Sequence, residues 1–417
     1  MTDEPHDPRA ATGAGRPGTR THRAWLARER ERLWVFGHRS VSPDGGFGWL
    51  DDTGKIMADR PIEAWITCRM THVAALELLG GRAEAWQVLD HGVHALESTL
   101  RDPDHGGWYA AVGPQGPVTT DKRAYEHAFV LLAAASAQAA GHARGSALLD
   151  QASEIFDSHF WREDEGMVAE VWSRDWSTLD DYRGLNANMH AVEAMLAAHD
   201  VTGEALWLDR ATRVVERTVR GFARAHEWLL PEHFTSGWRP VLDFNQDQPA
   251  DPFRPYGATV GHLLEWSRLT LHLRTALGTA APAWLLGDAR SLFDTAVRVG
   301  WAVDGVEGFV YTTDFTGQPV VRTRLHWVVA EAIAAAWALW AATGDDRYLE
   351  WYSLWWEHAE AHFIDRERGS WRHALDQQLR PTTTLWQGKP DIYHAYQAAL
   401  LPVFGEITSF AGAMSRR

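Results

Sequence analysis

The hydrophobic positions of this chain recur with helical spacing over most of its length, whereas period-two alternation is confined to short runs. Segments that begin near residues 125, 188 and 328 are apolar on nearly every face, which predicts buried helices. Segments 207–226 and 289–303 carry charge along one face, which predicts helices at the surface. The two kinds of helix alternate along the chain and end at glycine or at polar breaks.

A glycine-containing, aromatic-rich turn recurs six times, around Gly46, Gly107, Gly166, Gly237, Gly308 and Gly369. Successive glycines are 59 (Gly107 to Gly166) to 71 (Gly166 to Gly237) residues apart. This period predicts six units, each with one buried helix, one amphipathic helix and a short β-like loop. We therefore predict an all-α fold, an (α/α)6 barrel with six inner and six outer helices. Its single domain should span residues 24–410, between a disordered N-terminal tail (1–23) and a C-terminal tail (411–417).

Composition narrows the class of protein. The formal net charge is −15 and no run of Lys or Arg occurs, which argues against nucleic acid and anionic membranes as partners. No stretch of 18 apolar residues occurs, and the N-terminus lacks the apolar core of a signal peptide. With Cys68 as the one cysteine, we expect a cytoplasmic protein. The 23 Trp residues suit sugar stacking or a large helical core, so composition leaves carbohydrate binding open.

Each predicted inner helix carries one cationic or titratable side chain near its start. These side chains are 58 (Arg69 to His127) to 72 (His190 to His262) residues apart, which matches the period of the turns. Because equivalent positions in a closed ring converge on its axis, we expect one pocket lined by Arg69, His127, His190, His262, His326 and His394. A lone buried histidine is more often a hydrogen-bonded core residue, and this alternative is strongest for His127 and His326. Burying all six without a polar cavity would be costly, which favours the pocket.

Local spacing offers carboxylate partners for two of the histidines. Glu265 lies three residues after His262 on the same helical face and is expected to orient its ring. Asp391 has the same spacing from His394, although it fits a helix N-cap equally well. The long Pro-rich segment 231–257 precedes the His262 helix and is expected to cover the mouth of the pocket.

Known motifs for other chemistries are absent from the sequence. It contains no tightly spaced His/Cys ligand cluster, no Gly-rich nucleotide loop and no G-x-S-x-G nucleophile turn, so we expect neither metal nor cofactor. Barrel glycosidases use two carboxylates, whereas the inner positions here favour histidine. Histidine at these positions indicates proton transfer near neutral pH.

Four segments carry a family resemblance: YEHAFVLLAAASA, NANMHAVEAMLAAHDVTG, RPYGATVGHLLEWSRL and KPDIYHAYQAALLP. They resemble the N-acylglucosamine 2-epimerase superfamily, and within it the bacterial D-mannose isomerase and sulfoquinovose isomerase branches. The resemblance runs from Trp34 to Pro402. It implies an (α/α)6 barrel that interconverts aldoses and ketoses without metal or nucleotide. The partner would be a monosaccharide, and the oligomeric state stays open between monomer and homodimer.

The resemblance also implies roles for individual residues. His262 of the G-H-x-x-E motif and His394 of the Y-H-A motif would be the acid/base catalysts. The substrate-binding residues would be Arg69, Trp65, Tyr125, Asn186, His190, Glu265 and Trp327.

The implied reaction is aldose–ketose isomerisation, D-mannose to D-fructose, through a cis-enediol. A 2-epimerase for cellobiose-like or N-acyl sugars and a sulfoquinovose isomerase remain alternatives from the same family. A sugar-binding barrel without activity is a third alternative, although it would not need acid/base histidines.

Overall fold

The computed structural model describes residues 15–417, and in this range the predicted (α/α)6 barrel is confirmed. The inner helices are α2 (Ala64–Leu79), α4 (Ala124–Ala139), α6 (Leu185–Thr202), α8 (Val260–Leu277), α10 (His326–Thr343) and α12 (Tyr393–Leu400). The outer helices are α1 (Arg20–Gly37), α3 (Ala85–Glu97), α5 (Gly145–Ile155), α7 (Ala205–Val215), α9 (Trp284–Gly300) and α11 (Arg347–His358). Each inner helix contacts the next one around the ring, and α12 contacts α2, so the ring is closed.

Short antiparallel strands decorate the connections between outer and inner helices. They are β1 (Ile62–Glu63), β2 (Ala111–Gly113), β3 (Gly116–Thr119), β4 (Lys122–Arg123), β5 (Trp161–Arg162), β6 (Met167–Val168), β7 (Val171–Trp172), β8 (Tyr182–Gly184), β9 (His233–Thr235), β10 (Ala258–Thr259), β11 (Thr312–Thr313), β12 (Pro319–Val321), β13 (Arg324–Leu325) and β14 (Ala374–Leu375). Five of them, β1, β4, β8, β10 and β13, lead directly into an inner helix. Each of these five pairs with a strand in the connection that leads to the next inner helix.

Backbone hydrogen bonds fix the starts of the inner helices. The first N–H groups of a helix have no partner within it. In α2, α4, α6, α8 and α10 the first residue donates its N–H to a carbonyl of the following unit at 2.8 to 3.1 Å. We call the residues that supply these carbonyls the acceptor ring: Ala110, Glu170, Glu232, Tyr311 and His373. Ahead of α12, Lys389 donates its N–H to Leu50 at 2.8 Å, which closes the circle.

Ion pairs join the two ends of four of the connections that lead from an outer helix to an inner helix. In each, a carboxylate in the turn after the outer helix meets a cation two to four residues before the inner helix. The pairs are Asp102–Lys122 (2.7 Å), Glu165–Arg183 (3.8 Å), Asp304–Arg324 (2.9 Å) and Asp365–Lys389 (2.8 Å). Because both partners of the Asp102–Lys122 pair are fully buried, it holds the start of α4 in a fixed position.

Both ends of the chain differ from the predicted boundaries. Residues 1–14 of the predicted tail lie outside the described residues, and α1 begins at Arg20, where Thr19 caps it. The predicted C-terminal tail forms most of a last helix, α13 (Phe410–Ser415), whose side chains are largely buried. This helix packs on α2, α4 and α6 at the end of the barrel opposite the inner-helix starts. Within residues 15–417 no helix has the length and apolar character that crossing a bilayer requires.

The buried histidines of the barrel predict acid sensitivity. Burial lowers the pKa to about 4 for His22, His72 and His190, and to about 3 for His127, His272, His326 and His358. The unfolded chain, with histidine pKa near 6.5, therefore binds more protons than the folded one below that pH. The free energy of unfolding should fall steadily as the pH drops from 6.5 towards 4. Urea titrations followed by circular dichroism at pH 7.5, 6 and 5 measure this, and an unchanged midpoint would contradict it.

Candidate active site

A cavity opens at the starts of the inner helices. All nine predicted site residues line it: Trp65, Arg69, Tyr125, Asn186, His190, His262, Glu265, Trp327 and His394. The lining is completed by Pro252, Phe253, Tyr311, His326, His373, Trp386, Pro390 and Asp391. The periodic spacing therefore predicted four of them, Arg69, His190, His262 and His394, and the residues that the family resemblance implied lie in the same cavity.

His394 is oriented by a carboxylate from the neighbouring helix. Its Nδ1 lies 2.8 Å from Oε1 of Glu331 on α10. Because an ionised carboxylate only accepts, Nδ1 carries the proton and Nε2 is left as the basic nitrogen for a ligand. Burial lowers the pKa of His394, and the hydrogen bond to Glu331 counteracts part of that effect. The ring is thus neutral near pH 7, as a general base must be.

Asp391 does not fill the role that its spacing from His394 offered. Its Oδ1 accepts the backbone N–H of Tyr393 at 2.8 Å, as a residue at a helix start does. Its Oδ2 accepts from the guanidinium of Arg69 at 3.2 Å. The N-cap of α12 is Ile392, so Asp391 lies one residue outside the helix and holds Tyr393 and Arg69 without being the N-cap itself.

His262 has the same arrangement with a different partner from the predicted one. Its Nδ1 lies 2.9 Å from Oε1 of Glu232, a member of the acceptor ring. The prediction that Glu265 orients His262 is wrong, because Glu265 points instead towards Arg268, 3.3 Å away, and His190, 3.9 Å away. Residues three apart on a buried helix share a face, but a long connection can bring a better-placed carboxylate.

Trp327 contacts both imidazoles. Its ring centroid lies 5.3 Å from that of His262 and 5.8 Å from that of His394. Gly261 makes this position possible, because a Cβ there would lie 2.2 Å from Cζ3 of Trp327. The indole therefore supplies an apolar surface between the two histidines, on which a sugar ring can stack.

Arg69 provides the positive charge of the cavity. It donates to Asp391 at 3.2 Å and to the Tyr125 hydroxyl at 3.1 Å. Its guanidinium carbon lies 4.7 to 5.0 Å from the ring centroids of Trp65, Phe129 and Tyr393. Burial opposes the charge, but Tyr125 and Asp391 outweigh it and raise the pKa of Arg69. Its Nε is buried without a partner among the described residues, so one donor is free for a ligand.

Two buried carboxylates below the cavity share one guanidinium. Nε of Arg268 lies 2.8 Å from Glu331, and its Nη2 lies 3.3 Å from Glu265. Burial disfavours the charge on both acids, yet Arg268 and the hydrogen bond from His394 lower the pKa of Glu331 to about 2. Burial and the charge of Glu331 raise the pKa of Glu265 well above its usual value. Glu331 is thus ionised, and Glu265 keeps its proton to a higher pH than an exposed glutamate does.

His190 completes the wall next to Arg69. Its Nδ1 lies 3.5 Å from Oε2 of Glu193, which also accepts from the Tyr393 hydroxyl. Its ring packs 4.4 Å from the Phe129 centroid and 5.3 Å from that of Tyr125. Because burial lowers its pKa to about 4, His190 is neutral at pH 7 and suits hydrogen bonding to a sugar hydroxyl.

Two groups of side chains in the described part of the chain have the spacing to share a cation. They are His190, Glu193 and Glu265, and Glu265, Glu331 and His394. Arg268 already lies against Glu265 and Glu331 and supplies the positive charge that a cation would bring. Glu193 likewise accepts from Gln397 at 3.1 Å and from Tyr393. The donor set therefore fits an internally neutralised network better than a metal site.

His127 does not belong to the cavity, contrary to the predicted ring of six. Its Nδ1 lies 2.7 Å from the carbonyl of Arg123, and its Nε2 accepts the N–H of Trp108 at 3.1 Å. From the same helix, Tyr125 lines the cavity instead. Two residues along a helix are separated by about 200° around its axis, so the two side chains point apart. His127 is therefore a hydrogen-bonded core histidine, which is the alternative that the sequence left open for it.

Two residues of the segment 231–257, Pro252 and Phe253, line the cavity. Phe253 lines the cavity, with its ring 5.4 Å from that of Trp386 and 6.2 Å from that of Tyr125. Arg254 stacks on Tyr182 at 4.1 Å and does not line the cavity.

Sequence reasoning missed three members of the acceptor ring that act at the site: Glu232, Tyr311 and His373. Tyr311 and His373 follow the turn glycines Gly308 and Gly369 by three and four residues, so the repeat itself held the signal. The glycine spacing did not reveal Glu232, because Gly237 follows Glu232 instead of preceding it by three or four residues. Trp228, with φ 69°, stands four residues before Glu232 at the position that glycine takes elsewhere.

Comparisons with known proteins agree with the fold and show the family. The family model for N-acylglucosamine 2-epimerase (GlcNAc 2-epimerase) matches residues 45–398. A D-mannose isomerase of Thermobifida fusca is 50% identical over 396 residues, 94% of this chain and 97% of that protein. One of Pseudomonas cannabina pv. alisalensis is 49% identical over 398 residues, 94% and 95% of the two chains. A crystal structure of D-mannose isomerase has a TM-score of 0.86 at 28% identity, covering 91% of this chain and 97% of that one.

Proposed function

Because this chain belongs to the N-acylglucosamine 2-epimerase family, we propose that it interconverts D-mannose and D-fructose by proton transfer between C1 and C2. The observation that carries the proposal is the pair of imidazoles, His262 and His394, each held by a carboxylate and both against Trp327 in one cavity. Half of the sequence is identical to that of proteins named D-mannose isomerase, which supports the same substrate.

The reaction begins with opening of the pyranose ring. His262 takes the proton from the anomeric hydroxyl O1, and O5 leaves C1 with a proton returned to it, so that C1 becomes a carbonyl. Glu232 stabilises the imidazolium that forms in between, because its carboxylate accepts from Nδ1.

The C2 proton then moves to Nε2 of His394, and the C2–H electrons form the C1=C2 bond of a cis-enediol. Glu265, whose pKa is raised, gives a proton to O1, and Arg69 stabilises the charge that grows on that oxygen. His394 returns its proton to C1, Glu265 takes the proton of O2, and C2 becomes the ketone. No atom is gained or lost, and one histidine serves both carbons.

We propose that this chemistry needs no metal ion. Arg268 neutralises Glu331 and Glu265, which would otherwise be the carboxylate ligands. Dialysis against EDTA should leave kcat unchanged, and loss of activity that Zn²⁺, Mn²⁺ or Mg²⁺ restores would refute metal independence.

The function is tested by incubating the protein with D-mannose in D₂O and following the products by NMR. Appearance of fructose indicates the isomerase. Deuterium at C2 of an aldose product indicates a 2-epimerase instead. The cellobiose 2-epimerase of Ruminococcus albus, 23% identical over 339 residues, is a more distant relative than the D-mannose isomerases. An unchanged sugar would indicate a protein that binds sugar without converting it.

Replacement of Glu331 with glutamine should change the pH profile in a defined direction. The carboxylate favours the imidazolium of His394, so its loss lowers the pKa of His394 further. The acid limb of kcat should move to lower pH, and kcat at the optimum should fall about 10- to 100-fold, because a neutral amide stabilises the imidazolium less than a carboxylate does. Initial rates with D-mannose from pH 4.5 to 8 measure both effects.

Glu77→Gln is a matched control. Glu77 is also a buried acid that pairs with an arginine, Arg82, at 2.7 Å, but it does not line the cavity. It should keep the parent pH profile. An acid limb that stays in place in the Glu331 variant would show that Glu331 does not set the protonation of His394.

A further inference from the structure

Two imidazoles in the cavity wall have no part in the proposed reaction. His326 and His373 both line the cavity, and their rings stack with centroids 3.7 Å apart and planes 24° apart. The antiparallel pairing of β13 with β14 places them side by side, since Leu325 lies opposite Ala374 and the N–H of His326 donates to His373. They are cross-strand neighbours held by backbone, not side chains that meet by chance.

The backbone also fixes the tautomer of each ring. Nδ1 of His326 lies 3.4 Å from the carbonyl oxygen of His373, and Nε2 of His373 lies 3.2 Å from that of Asp391. A carbonyl oxygen only accepts, so these two nitrogens carry the protons. The other nitrogens, Nε2 of His326 and Nδ1 of His373, are left with lone pairs.

Neither ring takes up a second proton near neutral pH. Burial lowers the pKa of His326 to about 3, and burial together with the neighbouring His326 lowers that of His373 well below its usual value. The stacked pair therefore offers acceptors and no additional donor. Nε2 of His326 is buried and has no partner among the described residues. A buried acceptor without a partner is costly, so a ligand that brings a donor gains by meeting it.

We propose that Nε2 of His326 accepts a hydrogen bond from a sugar hydroxyl outside the reacting C1–C2 pair, which makes His326 a specificity-determining residue. His373 fixes its orientation through the stack and through the backbone bond at 3.4 Å. This inference rests on the proposed function only in assuming that the ligand is a sugar.

The same wall excludes anionic sugars. Lone pairs of two neutral imidazoles repel the oxygens of a phosphate or sulfonate. Among the described residues that line the cavity, Arg69 is the one with a guanidinium or ammonium group, and Asp391 already pairs with it. Because Arg69 pairs with Asp391 and serves O1 in the proposed reaction, the lining has no second cation for a phosphate or sulfonate, which favours neutral hexoses over sulfoquinovose as substrates.

Binding of singly deoxygenated sugars tests the proposal. The reference ligand is 1,5-anhydro-D-mannitol, which keeps the pyranose ring but has no anomeric carbon to react, and its 3-, 4- and 6-deoxy derivatives each lack one hydroxyl. Isothermal titration of the parent protein should show one derivative that binds about tenfold more weakly than the others, the size expected for one lost hydrogen bond. Equal binding by all derivatives would overturn the proposal.

His326→Phe keeps a flat ring for the stack and removes the acceptor. It should bind the reference ligand about tenfold more weakly and show no further loss with the sensitive derivative, because the partner is already gone. His326→Gln, which restores a carbonyl acceptor, should recover part of the affinity. A derivative that stays equally disfavoured in His326→Phe would assign its hydroxyl to another residue and refute the proposal.

These measurements remain informative if the proposed reaction is wrong. Turnover of D-mannose tests the reaction, whereas the anhydro-sugar reports binding without it. Mannose 6-phosphate gives a separate readout: we expect no detectable binding to the parent protein, and binding comparable to that of mannose would overturn the exclusion of anionic sugars.

Discussion

Replacement of His394 with asparagine is expected to lower kcat for D-mannose by roughly 10²- to 10⁴-fold. The amide can still donate to Glu331, which lies 2.8 Å from Nδ1 in the parent, so the local structure has a replacement for the lost bond. What it cannot supply is the basic nitrogen that takes the C2 proton. His262→Asn should cause a loss of similar size if ring opening limits the reaction, and a smaller loss with substrate that is already open.

His127→Asn is the matched control for these variants. His127 also stands in the first turn of an inner helix, but both of its nitrogens bond to the backbone outside the cavity. It should reduce the free energy of unfolding and leave kcat near the parent value. Rates and urea unfolding curves measured on the same preparations separate the two effects. Near-normal turnover by His394→Asn would end the assignment of His394 as the base.

Replacement of Arg268 with leucine is expected to destabilise the barrel by about 3 to 5 kcal/mol. The side chain is 1% exposed, and it neutralises Glu331 and Glu265, which are 2% and 1% exposed. Without it, the ionised Glu331 loses its counter-charge and Glu265 loses a hydrogen-bond donor, in a medium that solvates charge poorly. The urea midpoint of unfolding measures the loss.

A surface variant and a double variant make this result specific. Arg380 also pairs with a carboxylate, that of Asp376 at 2.8 Å, but the two side chains are 71% and 29% exposed, so Arg380→Leu should cost less than about 1 kcal/mol. Adding Glu331→Gln to Arg268→Leu should restore part of the stability, because one unpaired charge disappears. Equal losses for Arg268→Leu and Arg380→Leu would show that the buried network does not depend on its guanidinium.

The sequence predicted the ring and most of the cavity because both follow from one period. His190, His262 and His394 each lie near the start of a buried helix, and the helix starts converge at one end of the barrel. His127 has the same pattern and points elsewhere. A helix buried on every side has no polar face in its sequence to reveal which side meets the axis.

The carboxylate partners could not be read from local spacing. Glu232 and Glu331 come from other segments, 30 and 63 residues away from the histidines that they hold. A signal for Glu331 did exist, since it is the one charged residue in the apolar helix α10 apart from His326 at its start. A single acidic residue in a buried helix therefore indicates a polar site as a single histidine does. Helix α13, with six residues, is too short for periodicity to reveal.

The acceptor ring limits which deletions and circular permutations of the chain can still form the barrel. The His262–Glu232 and His394–Glu331 pairs each join two units. The first residue of every inner helix but the last donates its N–H to a carbonyl of the unit that follows. Deleting one unit would remove hydrogen-bond partners from the units on both sides of the deletion. An active barrel of five units should therefore not arise by simple deletion. A circular permutant with new termini in an outer-to-inner connection, by contrast, keeps every neighbour relation and should refold into an active ring.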